Sequence, residues 1–166
     1  IYGRTFSTFI LCSNGFIKLG SAVPDQFNYE YATLSDSNII APFYYDLDGG
    51  SSPEYRLSTA GTPGSRICTI QFKNVKDAIF TSNQYSNINF QIKLYEGSNN
   101  IEFVYGSFSP SIETAASISA GVGINGINPQ QSINIKKRSI DSWSSAVFIE
   151  GPYPGNKFNT RNSRSE

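Results

Sequence analysis

The chain has no histidine, no methionine, two cysteines and one tryptophan among its 166 residues. Without histidine there is no Ser-His-Asp triad, no imidazole metal site and no imidazole acid–base pair. Cys12 and Cys68 are too few for a disulfide scaffold and lack CxxC spacing. Charge is sparse as well: only 16% of residues are Asp, Glu, Lys or Arg, and thirteen basic residues balance thirteen acidic ones. A neutral chain with no basic stripe does not suit nucleic acid, because phosphate neutralisation needs clustered Lys and Arg. No apolar run reaches the 18 residues that mark a membrane-spanning helix. The start, Ile1-Tyr2-Gly3-Arg4, lacks the basic-then-apolar plan of a signal peptide, and a first residue other than Met is expected of a processed chain or a piece of a larger protein.

Polarity comes mainly from Ser (24) and Asn (15), a composition expected outside the cell. Helical periodicity is hard to find; the best stretch, Ser109 to Ser119, opens at Pro110 and reads better as a loop. Strand patterns occur elsewhere. From Ile88 to Tyr95 apolar and polar residues alternate, placing Ile88, Phe90, Ile92 and Leu94 on one buried face. The polar turn Glu96-Gly97-Ser98-Asn99-Asn100 then leads into Ile101–Tyr105, a β-hairpin. Thr5–Cys12 and Phe16–Leu19 form a second hairpin around Ser13-Asn14-Gly15, where Asn-Gly supplies positive φ. Further strands are expected at Asn38–Leu47, Glu54–Ser58, Arg66–Val75, Ile118–Asn125, Ile133–Lys136, Ala146–Ile149 and Lys157–Asn159, with a turn at Asp48-Gly49-Gly50. About ten short strands with little or no helix predict an all-β, antiparallel two-sheet β-sandwich. One domain is expected over residues 1–158, with 159–166 a polar tail or linker.

Several segments together resemble a known family. Ser13-Asn14-Gly15-Phe16-Ile17-Lys18-Leu19-Gly20 resembles the early hairpin of nidogen-like (NIDO-type) extracellular domains, and Ile39-Ile40-Ala41-Pro42-Phe43-Tyr44-Tyr45-Asp46-Leu47-Asp48 resembles their "I-A-P-aromatic" strand ending in two acids. Arg66–Val75, Asn89–Tyr105 and Ala120–Gly126 follow in the family's order, so the likeness spans roughly residues 5–150. It is most similar to the variant in secreted surface proteins of Bacteroidota-type bacteria exported by type IX secretion. Tyr44 and Phe72 stand where that variant usually has Trp, and Tyr45 where it often has Asp. The resemblance implies an extracellular or cell-surface β-sandwich of matrix or adhesion proteins, and it supplies no enzymatic activity.

Asp46 and Asp48 lie two apart on one strand, so their carboxylates share a face. With Glu54 they form a candidate Ca²⁺ set, since calcium takes several oxygen ligands; the alternative is that one Asp caps the amides of the Gly49-Gly50 bend. As a glycosidase pair they say little, because same-face neighbours meet that spacing in almost any strand. There is no GxSxG motif, and Gly121-Val122-Gly123-Ile124-Asn125-Gly126 lacks the Lys and helix of a phosphate loop. Tyr29, Tyr31, Tyr45 and Tyr55 flank the acidic turn and are candidate ligand-stacking rings. Cys12 and Cys68 are either a disulfide or two buried free thiols. The expected function is a non-catalytic extracellular module for adhesion or structural assembly, its partners an extracellular protein or glycan and other domains of the same parent chain. The alternatives are a glycan-binding module using the Tyr-rich surface with Ca²⁺, and a subunit of a strand-complemented surface filament.

Overall fold

Alternating hydrophobicity produces strands throughout. The computed structural model describes residues 1, 3–24, 36–78, 83–111, 118–127, 131–136, 143–150 and 158–160. Its strands are β1 (Phe9–Cys12), β2 (Phe16–Leu19), β3 (Ile39–Tyr44), β4 (Leu47–Ala60), β5 (Ile67–Asp77), β6 (Tyr85–Tyr95), β7 (Ile101–Pro110), β8 (Ile118–Asn125), β9 (Ser132–Lys136), β10 (Val147–Glu150) and β11 (Phe158–Thr160). A 3-10 turn covers Trp143–Ser145, and no α-helix occurs among the described residues. The all-β class with two antiparallel sheets is therefore what the chain adopts. One sheet has seven strands in the order β1-β2-β3-β8-β9-β10, with β11 also paired to β8; the other is the four-stranded meander β4-β5-β6-β7. The chain falls into two compact units, Ile1–Asp46 with Ala116–Glu166, and Leu47–Ala115.

In the first unit, all six residues of β3 are buried. Pro42 sits inside this strand, where a missing N–H breaks a ladder. The register of β3 on β8 accordingly shifts between Ala41 and Tyr44. Phe16, Ile39, Ala41 and Tyr44 form a buried cluster, with the Phe16 and Tyr44 rings stacked at 4.7 Å. Polar groups are buried beside it. Lys18 is ion-paired with Asp36 and also donates to the Val23 carbonyl at 3.4 Å. Asn125 Nδ2 donates to the Asp36 carbonyl, and Ser132 Oγ donates to Asn125 Oδ1. Asn134 is 3% exposed, yet neither atom of its amide has a hydrogen-bond partner.

In the second unit, register builds apolar rows across the meander. Tyr55, Phe72, Phe90 and Tyr105 form one row, and Leu57, Ile70, Ile92 and Phe103 the next. Phe72 and Phe90 stack at 4.6 Å, and both are buried. Where a turn was expected at Asp48-Gly49-Gly50, β4 runs continuously from Leu47 to Ala60. Strand β3 ends at Tyr44 and β4 begins at Leu47, and the glycines lie where the register of β4 on β5 shifts. At the far end, Glu96 ties two hairpin tips together. Its Oε2 accepts from the N–H groups of Gly64 (2.9 Å) and Arg66 (3.1 Å) and from Arg66 Nε (2.8 Å), while Oε1 accepts from the other side of the guanidinium at 2.7 Å. Gly97 carries no side chain here because a Cβ would lie 2.6 Å from the Gly64 carbonyl oxygen.

The stretch expected as a loop around Ser109 begins as strand, since β7 continues to Pro110; residues 112–117 lie outside the described residues. The last strand reaches Thr160, into the expected tail, and 161–166 also lie outside.

Two outcomes follow. Hydrogen bonds from Arg66 and from two backbone amides hold the Glu96 carboxyl down at about 2. A carboxylate depressed in the folded state stabilises fully above its ordinary value of 4.5, and that contribution is lost as pH falls toward about 2. Melting temperature measured between pH 6 and 2 should fall less steeply in Glu96→Gln than in the native chain. The unmet amide of Asn134 is a standing cost, so near-isosteric Asn134→Leu should raise unfolding free energy by about 1–3 kcal/mol in chemical denaturation.

Candidate functional site

The acidic bend is built by β4 against β5. Asp48 Oδ1 accepts from the N–H of Gly49 at 2.7 Å, and its Oδ2 lies 3.8 Å from Lys76 Nζ on the paired strand. Glu54 Oε1 accepts from Lys73 Nζ at 3.3 Å, and Oε2 lies 2.5 Å from the Arg56 guanidinium. Asp48 therefore caps a bend amide, and each of these two acids is answered by a cation. Asp46 lies between β3 and β4 in the first unit, whereas Asp48 and Glu54 belong to the second. Among the described residues no three His, Cys, Asp or Glu side chains group closely enough to hold a metal ion.

The candidate rings separate similarly. Tyr45 belongs to the first unit, edge-on to Phe43 at 6.4 Å, and its N–H donates to the Asn14 carbonyl. Tyr55 belongs to the second, edge-on to Phe72 at 5.6 Å, with 41% of its surface exposed. Tyr29 and Tyr31 lie outside the described residues. Cys12 and Cys68 each carry a free, half-buried thiol, Cys12 in the first unit and Cys68 in the second. Burial pushes both thiols up from their ordinary range, Cys12 against a backbone hydrogen bond at Asn14 and Cys68 against a hydrogen bond with the Thr59 side chain. Thiols held protonated in this way are poor nucleophiles.

The most organised polar constellation in the second unit was not expected from the sequence. Residues 50–53 of β4 oppose the single Asn74 of β5, because Gly49 pairs with Val75 and Glu54 with Lys73. On β5, Lys73 and Asn74 oppose the single Asn89 of β6; on β7, Gly106 and Ser107 oppose the same Asn89. Bulges on β4, β5 and β7 thus line up at the level of Asn89 on β6, and each leaves backbone groups out of the ladder. Asn89 serves both flanks: Oδ1 accepts from the Asn74 N–H at 2.9 Å, and Nδ2 donates to Ser107 O at 3.1 Å and Ser107 Oγ at 2.9 Å. Asn74, held at φ +56°, passes its own Nδ2 to the Ser52 carbonyl and receives Asn87 Nδ2. Gly50 is required opposite, since a Cβ would sit 2.5 Å from the Asn74 carbonyl oxygen. Beyond this level, buried Asp77 accepts from the N–H groups of Gln84 (2.8 Å) and Tyr85 (2.7 Å), fixing the start of β6. Asn87 and Asn89 fit the alternation of the strand, so the sequence pattern carries no signal of the network.

These arrangements define an all-β module in which the amides of Asn74 and Asn89 hold a row of sheet irregularities. The chain matches the model of the NIDO related family over residues 1–151 and belongs to that family. No curated protein and no solved structure matches it. Domains of this family are generally non-catalytic and typically extracellular. Among the described residues no helix is long and apolar enough to cross a membrane.

Asn89→Leu strands the Asn74 N–H and the Ser107 carbonyl and should cost about 1–3 kcal/mol in urea unfolding. Gln91→Leu, one pleat along, removes only a 3.4 Å amide contact to Gln71 and should stay within about 0.5 kcal/mol. Equal losses would show that the bulge array does not depend on Asn89.

Proposed function

We infer that this chain is a non-catalytic module of a secreted or surface-displayed protein, and that it serves adhesion or structural assembly. Membership in a generally non-catalytic, typically extracellular family carries the reading. The chemistry of the acidic bend supports it: Asp48 and Glu54 are engaged by Gly49, Lys76, Lys73 and Arg56, and no histidine exists to activate a hydroxyl or thiol. The ordered segments shared with secreted Bacteroidota-type surface proteins favour a parent exported by type IX secretion, with an extracellular protein or glycan as partner. The module works without a resident cation in this reading.

A second reading, glycan binding, has one observation in its favour: Tyr55 presents an exposed ring propped against Phe72. The two separate in one set of measurements. Beads coated with the module should adhere to immobilised extracellular proteins or to cells, while a broad glycan array stays blank and EDTA leaves the melting temperature unchanged. Array hits abolished by Tyr55→Ala would favour the glycan reading. Hydrolytic turnover lost in Asp46→Asn or Asp48→Asn would overturn both.

A further inference from the structure

The two edges of the four-stranded sheet are treated differently. Strand β7 is interrupted: its register on β6 shifts twice, and it ends at Pro110. Bulges and proline are the usual guards against edge-to-edge pairing. Strand β4 is guarded only in its first half, by the 50–53 bulge and Pro53. From Glu54↔Lys73 to Ala60↔Ile67 its register on β5 is unbroken. Those seven residues include no Pro, no Lys and no Gly, and no described strand pairs with their outer edge.

The side chains of that segment match an added strand. Tyr55 and Leu57 continue the apolar rows whose central members, Phe72 and Ile70, are fully buried. Tyr55 nonetheless remains 41% exposed and Leu57 62% exposed. The polar side of the segment carries one acid and one base, and these neutralise each other across 2.5 Å. No net charge is left on the edge to repel a like copy.

We propose that residues 54–60 of β4 pair antiparallel with the same segment of a second copy, joining two meanders into one continuous sheet. This rests on the assembly reading of the module and names the surface that performs it. Charge and pattern select the register. Centred on Leu57, all seven residues overlap: Leu57 meets Leu57, Tyr55 meets Thr59, Arg56 meets Ser58 and Glu54 meets Ala60 of the other copy. Each pair keeps the pleat, so Tyr55, Leu57 and Thr59 of both copies share one side and Glu54, Arg56, Ser58 and Ala60 the other. Moving the centre to Arg56 sets two guanidiniums face to face. Moving it to Tyr55 brings Pro53 and the bulge into the ladder.

The test is sedimentation velocity of the full chain from about 1 to 300 µM, with Leu57→Lys beside it and denaturant unfolding as a check on the variant's fold. The native chain should show a concentration-dependent dimer, and Leu57→Lys should weaken it at least tenfold with unfolding unchanged. Register is read with Leu57→Cys and Thr59→Cys under mild oxidation, each in a Cys12→Ser, Cys68→Ser background, because Thr59 lies opposite Cys68 on β5 and both native thiols are free. Residues opposed in an antiparallel ladder have Cα atoms about 4.5–5.5 Å apart, within disulfide reach. Leu57→Cys should therefore cross-link to itself, and Thr59→Cys should not. A monomer across the whole range overturns the proposal, as does a dimer indifferent to Leu57→Lys. A monomer that still adheres to surfaces leaves the adhesion reading standing. A dimer that adheres to nothing retains the pairing and removes the adhesion reading.

Discussion

The side chain of Asn89 is the point on which the four-stranded sheet turns. A bulge in a single strand disturbs only its neighbours; here bulges on β5 and β7 flank one residue of β6, and a third on β4 lies beyond. A four-stranded ladder broken at one level would leave a line of unmet amides and carbonyls across its width. Asn89 meets the two nearest, and Asn74 extends the bonding outward to Ser52. An amide suits this task because it carries donor and acceptor on one short, rigid group. Asp would lose the donor toward Ser107, and Leu would lose both.

This dependence explains the unequal legibility of the chain. Strand class, the β1–β2 and β6–β7 hairpins and most strand positions were readable, because alternation at period two and Asn-Gly turn chemistry act locally. The Asp48-Gly49-Gly50 stretch was misread as a turn for the same reason. Glycine after an acid is a local turn signal, but Gly50 answers a nonlocal demand, the carbonyl of Asn74 on the next strand. Asn and Ser are usually residues of turns and loops, so nothing in their identity announces a cross-strand network. Likewise, Asp46, Asp48 and Glu54 are close in sequence, but the cations that face the last two come from elsewhere on the strands, and spacing alone does not reveal them.

The two units spend polar groups in different ways. In the four-stranded unit they fill backbone gaps at bulges and tie hairpin tips. In the seven-stranded unit they form a buried patch in which Lys18, Asp36, Asn125 and Ser132 answer one another. Buried ionic groups of this kind contribute little net stability, since desolvation offsets attraction, but breaking one partner away leaves an uncompensated charge. Both solutions fix polar side chains in place through bonds to neighbouring strands. A sequence rich in Ser, Asn and paired acids here supplies the bonds that hold strands and hairpin tips in place.

The order of strands along the chain has a consequence for biosynthesis. Strands β4 to β7 follow one another and each pairs with the next, so the meander needs only local contacts and can close early. Strand β3 is different: its partner on one side is β2, but on the other it must await β8, which lies beyond the entire meander. In a chain emerging from its N-terminus, β3 spends that interval with an apolar edge open, although all six of its residues are buried at the end. The exposed stage of making this protein is thus the wait between Tyr44 and Gly121, and whatever shields a nascent chain has to cover that edge.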